Sequence, residues 1–258
     1  DTYSMDEKQR SASYAIKRAQ AQRNCETHIQ KILFKAARDI LAASSKYRGK
    51  GKILNEKQLR KEAQSITEKT QESISQYINA YAKASTKVLG IEQSSVNSFL
   101  ASEIFGKTTL QRNTQYLKNF ADDIVAMIKA GQLMTYSEQK LLSAIRTGYK
   151  TPFEISLVTK AQKKKIKIET PTYGKGILKN AYQNIVRNAK QVIAIAWGKA
   201  ERQYGIQSGA TAFEVHRGST FPCPICDDQC AYTHTFRDPS PPFHVSCVCW
   251  VKFIYNKQ

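Results

Sequence analysis

Cys223-Pro-Ile-Cys226 and His244-Val-Ser-Cys247-Val-Cys249 are the segments that decide how the C-terminal end of this chain folds. Together with Cys230 they hold five of the six cysteines in a protein of 258 residues. A Cys-x-x-Cys pair lets one turn present two thiolates, and zinc prefers four ligands drawn from thiolates and imidazoles. The spacing therefore predicts a small metal-bound unit behind a nearly cysteine-free chain.

More candidate ligands are present than one tetrahedral site needs. They are Cys223, Cys226, His244, Cys247 and Cys249. Because Cys247 and Cys249 are two positions apart, both would face the same side of a strand, and spacing does not choose the fourth ligand between them. Cys230 and His234, in the intervening loop, are possible substitutes. With donors to spare the site is expected to be closed, which predicts structural rather than catalytic zinc. Disulfides and unligated or redox-active thiols are the alternatives.

The rest of the chain has the composition of long helices, with only 12 glycines and 7 prolines. Apolar periodicity predicts a helix from an N-cap at Asn55 to a stop at Gly90, and a last long helix over about 177–205. Alternating residues predict strands at Ala212–Val215 and Val245–Tyr255. The predicted fold is mainly α, with long helices and a small C-terminal α+β zinc-knuckle unit. Its segments are an antiparallel helical hairpin over 1–90, a helical body over 91–210, and a Cys/His-rich β unit over 211–258.

The charge of the chain is strongly one-signed: 40 Lys and Arg stand against 21 Asp and Glu, a net charge of +19. Such an excess favours a polyanionic partner, with nucleic acid first, an acidic protein surface second and an anionic membrane third. A basic linker or exposed turn is predicted over 160–176, although a merely solvated charge run has the same pattern. The lysines predicted to contact nucleic acid or capsid are Lys160, Lys163, Lys164, Lys165, Lys167, Lys175 and Lys179.

The sequence offers little support for catalysis. Phe105-Gly-Lys-Thr108 has the end of a P-loop motif, but the glycine that the motif requires five residues before Gly106 is Ala101. His216 and His244 form no convincing acid–histidine pair with a neighbouring carboxylate. No apolar run approaches the roughly 20 residues of a membrane span. We therefore expect no enzyme activity, no small-molecule substrate and no membrane partner.

Three segments near the C-terminus share a recognisable pattern: Phe213-Glu-Val-His-Arg217, Cys223-Pro-Ile-Cys226-Asp227 and Pro242-Phe-His244-Val-Ser-Cys247-Val-Cys249. This pattern resembles the C-terminal signature of the phage Mu F-like minor head, or head morphogenesis, proteins. That signature ends in Cys-Pro-x-Cys, a loop, and Pro-x-His-x-x-Cys-x-Cys. The specific resemblance covers about 170–255, and no recognised motif covers the first 90 residues.

The resemblance implies a non-enzymatic component of a phage head, made in the host cytoplasm and housed in the head interior of the virion. Members of the family associate with the portal or the inner capsid. The expected partners are therefore the portal protein, the major capsid protein, and double-stranded DNA bound without sequence preference. Lys and Arg contacts to phosphate release counterions and give such sequence-neutral, salt-sensitive binding. The alternatives are a polymorphic toxin or effector that carries the same module, and a cellular zinc nucleic-acid-binding protein.

Overall fold

Helices make up most of the protein in the computed structural model, which describes residues 6–47, 54–103, 106–150, 156–170 and 180–256. A single 3-10 turn, Ser45–Tyr47, follows the first helix. The helices are α1 (Glu7–Ser44), α2 (Glu56–Glu68), α3 (Gln71–Leu89), α4 (Ser94–Ala101), α5 (Thr109–Leu133), α6 (Glu138–Lys150), α7 (Leu157–Lys163), α8 (Ala181–Gln207) and α9 (Pro224–Gln229). A small sheet near the C-terminus completes the fold and confirms the predicted class, mainly α with a small α+β unit.

The helix predicted from Asn55 to Gly90 has the predicted ends but is two helices, α2 and α3. The Asn55 side chain caps α2 by accepting a hydrogen bond from the backbone of Gln58 at 3.3 Å, and Gly90 follows α3 with a φ of +66°. The interruption comes at Thr70, whose hydroxyl and backbone N–H both donate to the carbonyl of Thr67. A turn at residues 69 and 70 therefore separates α2 from α3.

The sheet consists of three antiparallel strands in the order β2–β1–β3, where β1 is Ala212–His216, β2 is Thr233–His234 and β3 is Trp250–Ile254. Alternate residues of β1 and β3 face inward, and Phe213 lies opposite Phe253 in the register. The core of this unit contains cysteines as well as apolar side chains. Its buried members are Phe213, Val215, Cys226, Cys247, Cys249, Val251 and Phe253.

The chain divides into two compact units, each assembled from separate stretches of sequence. Unit 1 comprises 1–27, 76–109 and 189–258, and unit 2 comprises 28–75 and 110–188. Unit 1 therefore contains the sheet and the five C-terminal cysteines. The division of the sequence into segments at 90 and 210 stays a prediction.

Charge is divided unevenly between the two units. Unit 2 contains 25 Lys and Arg against 10 Asp and Glu, whereas unit 1 contains 15 against 11. Unit 2 thus carries +15 of the net +19. Among the described residues, no helix has an apolar stretch long enough to cross a membrane.

Candidate metal centre

The first half of the candidate metal centre is the turn that begins α9. Cys223 occupies the N-cap position with extended backbone angles, and Pro224 follows it inside the first turn. Proline suits this position because its fixed φ is already helical and its missing N–H would have no partner. The backbone N–H of Cys226 lies near the Cys223 sulfur and is the main cause of the lowered pKa of that thiol. One turn therefore presents both sulfurs, as the spacing predicted.

The second half is the segment that leads into β3. Here Ser246 has a φ of +65°, and the backbone N–H of Cys247 donates to the carbonyl of His244 at 3.2 Å. This tight turn carries His244 and Cys247 on one short stretch. Cys247 and Cys249 are both buried while Val248 between them is exposed, which confirms that the two thiols face the same way.

The side-chain donor atoms of the candidate ligands lie close together. The Nε2 atom of His244 is 3.2 Å from the sulfur of Cys223 and 3.0 Å from that of Cys226. The sulfurs of Cys226 and Cys247 are 3.8 Å apart. Two thiolates bound to one tetrahedral zinc at about 2.3 Å would themselves be about 3.8 Å apart. The pairing of Cys226 with Cys247 therefore has the spacing of two ligands of one ion.

The candidate ligands form two overlapping triads, within each of which the donor atoms lie within 4.8 Å of one another. The triads are Cys223, Cys226 and His244, and Cys226, Cys247 and Cys249. The structure thus brings together all five predicted ligands and places Cys226 at the junction. The six cysteines, all in described parts of the chain, are free thiols.

The orientation of the His244 ring suits a metal ligand. Its Nδ1 atom lies 2.8 Å from the carbonyl oxygen of Val245, so in the neutral ring Nδ1 carries the proton and donates it there. The lone pair of Nε2 then faces the sulfurs, which is the arrangement found in metal-bound histidines. Without a metal ion, the Val245 carbonyl is the main cause of a raised pKa of His244, so the site favours positive charge at this ring.

The thiols of the second triad lack a counter-charge among themselves. Burial raises the pKa of Cys226 to about 12, and hydrogen bonding to Cys247 raises that of Cys249. The donated hydrogen bond lowers the pKa of Cys247 to about 5. Neighbouring thiols cannot all ionise unless a cation balances them, and a bound dication deprotonates coordinating thiols outright. The donor set therefore fits a metal ion.

The two possible substitute ligands lie outside both triads. His234 is fully buried, its Nε2 atom is 2.7 Å from the carbonyl oxygen of Gln229, and its ring stacks on Phe213. It therefore supports the loop between β1 and β2. Cys230 is half-buried beside the cluster, and burial raises the pKa of its thiol. His216 stacks on Trp250 as a strand side chain.

Arg217 stabilises the turn that carries Cys223 and Cys226. Its guanidinium donates to the carbonyls of Phe221 and Cys223 and forms an ion pair with Asp227. The end of the loop next to α9, and α9 itself, are thereby held to the residue that follows β1. Arg217 belongs to the segments that carry the family resemblance, but no pattern in the sequence indicated this role.

Unit 1 anchors the centre through two buried charged residues that sequence reasoning missed. Arg18 of α1 donates to the carbonyl oxygen of Cys249 at 2.8 Å. Glu201 of α8 is fully buried near Arg18 and Arg10, and burial raises its pKa to about 7 although both arginines act to lower it. The available signal was a charged residue within the apolar stripe of each helix.

Two glycines let the C-terminal segment approach α8 closely. A side chain at Gly198 would overlap the carbonyl oxygen of Pro241, and one at Gly205 would overlap the ring of Phe253. Between them, Arg202 donates to the carbonyls of Phe236 and Asp238. The loop and strand around the metal centre therefore pack directly on α8.

The structure describes five of the seven lysines that were predicted to contact nucleic acid or capsid. Lys160 and Lys163 belong to α7, so the predicted basic linker begins inside a helix. Those that are described are all exposed: Lys160, Lys163, Lys164, Lys165 and Lys167. Lys175 and Lys179 lie outside the described residues. Contact of any of them with nucleic acid or capsid stays a prediction.

Comparison with known proteins gives no match. No protein-family model, no curated protein and no solved structure matches this chain.

Proposed function

We propose that this chain is a structural minor head protein of a tailed bacteriophage. In this role it associates with the portal or the inner capsid, zinc fastens its C-terminal sheet, and its basic unit contacts packaged DNA. The observation that carries the proposal is the cluster of Cys223, Cys226, His244 and Cys247. It coincides with the segments that resemble the Mu F-like signature, and it places Cys226 3.0 Å from His244 and 3.8 Å from Cys247.

The donor chemistry favours zinc over other common ions. Thiolates with one imidazole select zinc or iron–sulfur chemistry, whereas magnesium and calcium require oxygen ligands. One histidine among four thiols is a donor set typical of zinc, and the 3.8 Å between the sulfurs of Cys226 and Cys247 suits two ligands of one tetrahedral ion. Three of the five donors, Cys226, Cys247 and Cys249, are buried, and five donors are more than a tetrahedral ion requires. This supports a structural role.

The C-terminal unit needs such an ion for its stability. Its β2 strand has two residues and α9 has six, so these two elements contribute few hydrogen bonds. Binding of a structural zinc contributes on the order of 10 kcal/mol to folding. We therefore propose that the ion holds the α9 turn against the segment before β3, and that Arg18 and α8 fix both to unit 1.

The charge distribution supports contact with DNA. Unit 2 carries +15, and its described lysines between 160 and 167 are exposed. A protein inside a DNA-filled head requires binding that does not depend on base sequence, and lysine–phosphate contacts provide it. Zinc in unit 1 and polyanion binding in unit 2 would then be separate functions of one chain.

Heads purified from the host that makes this protein provide the test. Quantitative mass spectrometry of DNA-filled heads should detect the chain in a few copies per portal, and a Cys223→Ser variant should be depleted from them. A chain that is absent from heads would contradict the proposal. Retention of zinc and DNA binding would then indicate a cellular zinc protein, and growth arrest on expression would indicate a toxin.

The zinc role has its own test. Chelation should accelerate hydrogen exchange in β1, β3 and α9, while the amides of α5 in unit 2 keep their protection. Equal exchange with and without chelator, in a protein shown to have bound zinc, would remove the structural role of the ion without affecting the assignment to the head.

A further inference from the structure

The end of α7 is a tight turn with a lysine at its special position. The backbone N–H of Ile166 donates to Ala161 at 3.2 Å, and that of Lys165 donates to Gln162 at 2.9 Å. Lys165 has a φ of +61°. These two bonds and the left-handed residue define the Schellman motif, in which the left-handed position is usually glycine.

A lysine at this position makes the turn less stable than a glycine would, because a β-carbon crowds the carbonyl in the left-handed conformation. Only three non-glycine residues with positive φ occur among the described residues: Thr135, Lys165 and Ser246. Ser246 lies between two candidate metal ligands. Unfavourable backbone conformations concentrate at functional sites. The left-handed conformation of Lys165 therefore indicates that its side chain has a function.

The surroundings of the turn are basic and contain no apolar anchor. Glu169 is the only acid between 156 and 170, and no ion pair joins the lysines of this stretch to a carboxylate among the described residues. No large apolar side chain is exposed there either. Binding to a membrane surface requires apolar insertion as well as charge. A polyanion in water, such as nucleic acid, is the better match.

We propose that Lys163–Lys167 is a preformed phosphate-binding turn, in which Lys165 is left-handed for the sake of binding. Its ligand is the sugar-phosphate backbone of nucleic acid, contacted without reading the bases. The proposal rests on the DNA contact proposed above and identifies the element that makes it. The carbonyl end of α7 carries partial negative charge, which eases the crowding of lysines at its terminus.

The variant Lys165→Gly distinguishes an effect on DNA binding from an effect on the stability of the fold. The variant should unfold at a temperature equal to that of the wild type or about 2–4 °C higher, since glycine relieves the backbone. It should bind a duplex of random sequence roughly eightfold more weakly at 0.1 M salt, and the slope of log K against log salt should fall by about 0.9. Fluorescence anisotropy and thermal unfolding measure the two effects.

Two further variants serve as controls. Lys165→Asn also removes the charge but tolerates the left-handed conformation, so it should lose the same affinity as Lys165→Gly. Lys87→Gln removes an exposed lysine of unit 1 and should leave both the affinity and the salt slope at their wild-type values.

The possible results are distinguishable. If the wild type binds DNA and Lys165→Gly binds equally well, the turn is not a contact, and the proposed DNA contact survives elsewhere. If the wild type does not bind DNA at all, the proposed DNA contact fails together with this inference. If the wild type prefers vesicles containing phosphatidylserine to duplex DNA, the ligand is a membrane and the nucleic-acid assignment is wrong.

Discussion

The buried guanidinium of Arg18 donates a hydrogen bond to the backbone carbonyl of Cys249, 231 positions later in the chain. The contact joins the first helix of unit 1 to the segment that contains two candidate metal ligands. Arg18 is also close enough to the buried carboxyl of Glu201 for its charge to act to lower the pKa of that group. The metal centre and the helices of unit 1 are therefore expected to be energetically coupled.

Replacement of Arg18 tests this coupling. Arg18→Met should lower the free energy of unfolding by about 1–3 kcal/mol, because it leaves the buried carbonyl of Cys249 without its donor. In urea unfolding, the double variant Arg18→Met/Glu201→Gln should lose less than the sum of the single losses. Strictly additive losses would show that the two residues do not interact.

The pH dependence of the free energy of unfolding should reveal the titration of the Glu201 carboxyl. Its pKa of about 7 lies above the ordinary value of 4.5, so between these pH values the folded state holds a proton that the unfolded state has released. The contribution of Glu201 to stability is therefore present at low pH and is lost as pH rises through 7. Glu201→Gln should match the wild type near pH 4 and exceed its stability by about 3 kcal/mol at pH 8.

Glu92→Gln is the control for this titration, because Glu92 is exposed. Its stability relative to that of the wild type should not follow the pH profile of Glu201→Gln. A pH-independent difference for Glu201→Gln would show that Glu201 does not titrate in this range.

The packing of α8 against the C-terminal segment can be tested with two glycine substitutions. Gly198→Ala should destabilise the protein by about 1–3 kcal/mol, because the new β-carbon overlaps the rigid carbonyl of Pro241. Gly148→Ala, in α6, would meet no described atom within 4 Å and should stabilise its helix by about 0.5–1 kcal/mol. Thermal unfolding of both variants gives the comparison, and equal effects of the two substitutions would contradict the close approach.

A cysteine series identifies the ligands. Cys226→Ser should abolish zinc binding, because Cys226 belongs to both triads, whereas Cys230→Ser should keep the metal. Comparison of Cys247→Ser with Cys249→Ser then identifies the fourth ligand, since only the variant of the true ligand should lose zinc. Elemental analysis after gel filtration gives the number of zinc ions per chain for each variant. Metal retention by Cys226→Ser would exclude the proposed site.

Patterns that span a few residues predicted much of the fold. Asn55 and Gly90 bound a helical region because a cap and a left-handed stop act over one turn, and Cys223 and Cys226 share a turn for the same reason. The break at Thr70 was missed because the buried apolar stripe continues on both sides of it, from Leu59 and Ala63 to Ile74 and Ile78.

Contacts between distant residues were not predictable in this way. Arg18 occupies a helical position that periodicity alone would leave to an apolar residue, and its partner is a carbonyl, which no side-chain pattern encodes. Glu201 likewise interrupts the apolar stripe of α8 without a local cause. Such residues can be noticed in a sequence as charges within a buried face, but their partners depend on the packing of the whole unit.

The number of zinc ions per chain is the most direct test of the metal centre. Native mass spectrometry of the purified protein should show the chain with one zinc, and the mass should fall to that of the free chain after chelation. A well-folded protein that retains the exchange protection of β1 and β3 and contains no metal would contradict the account.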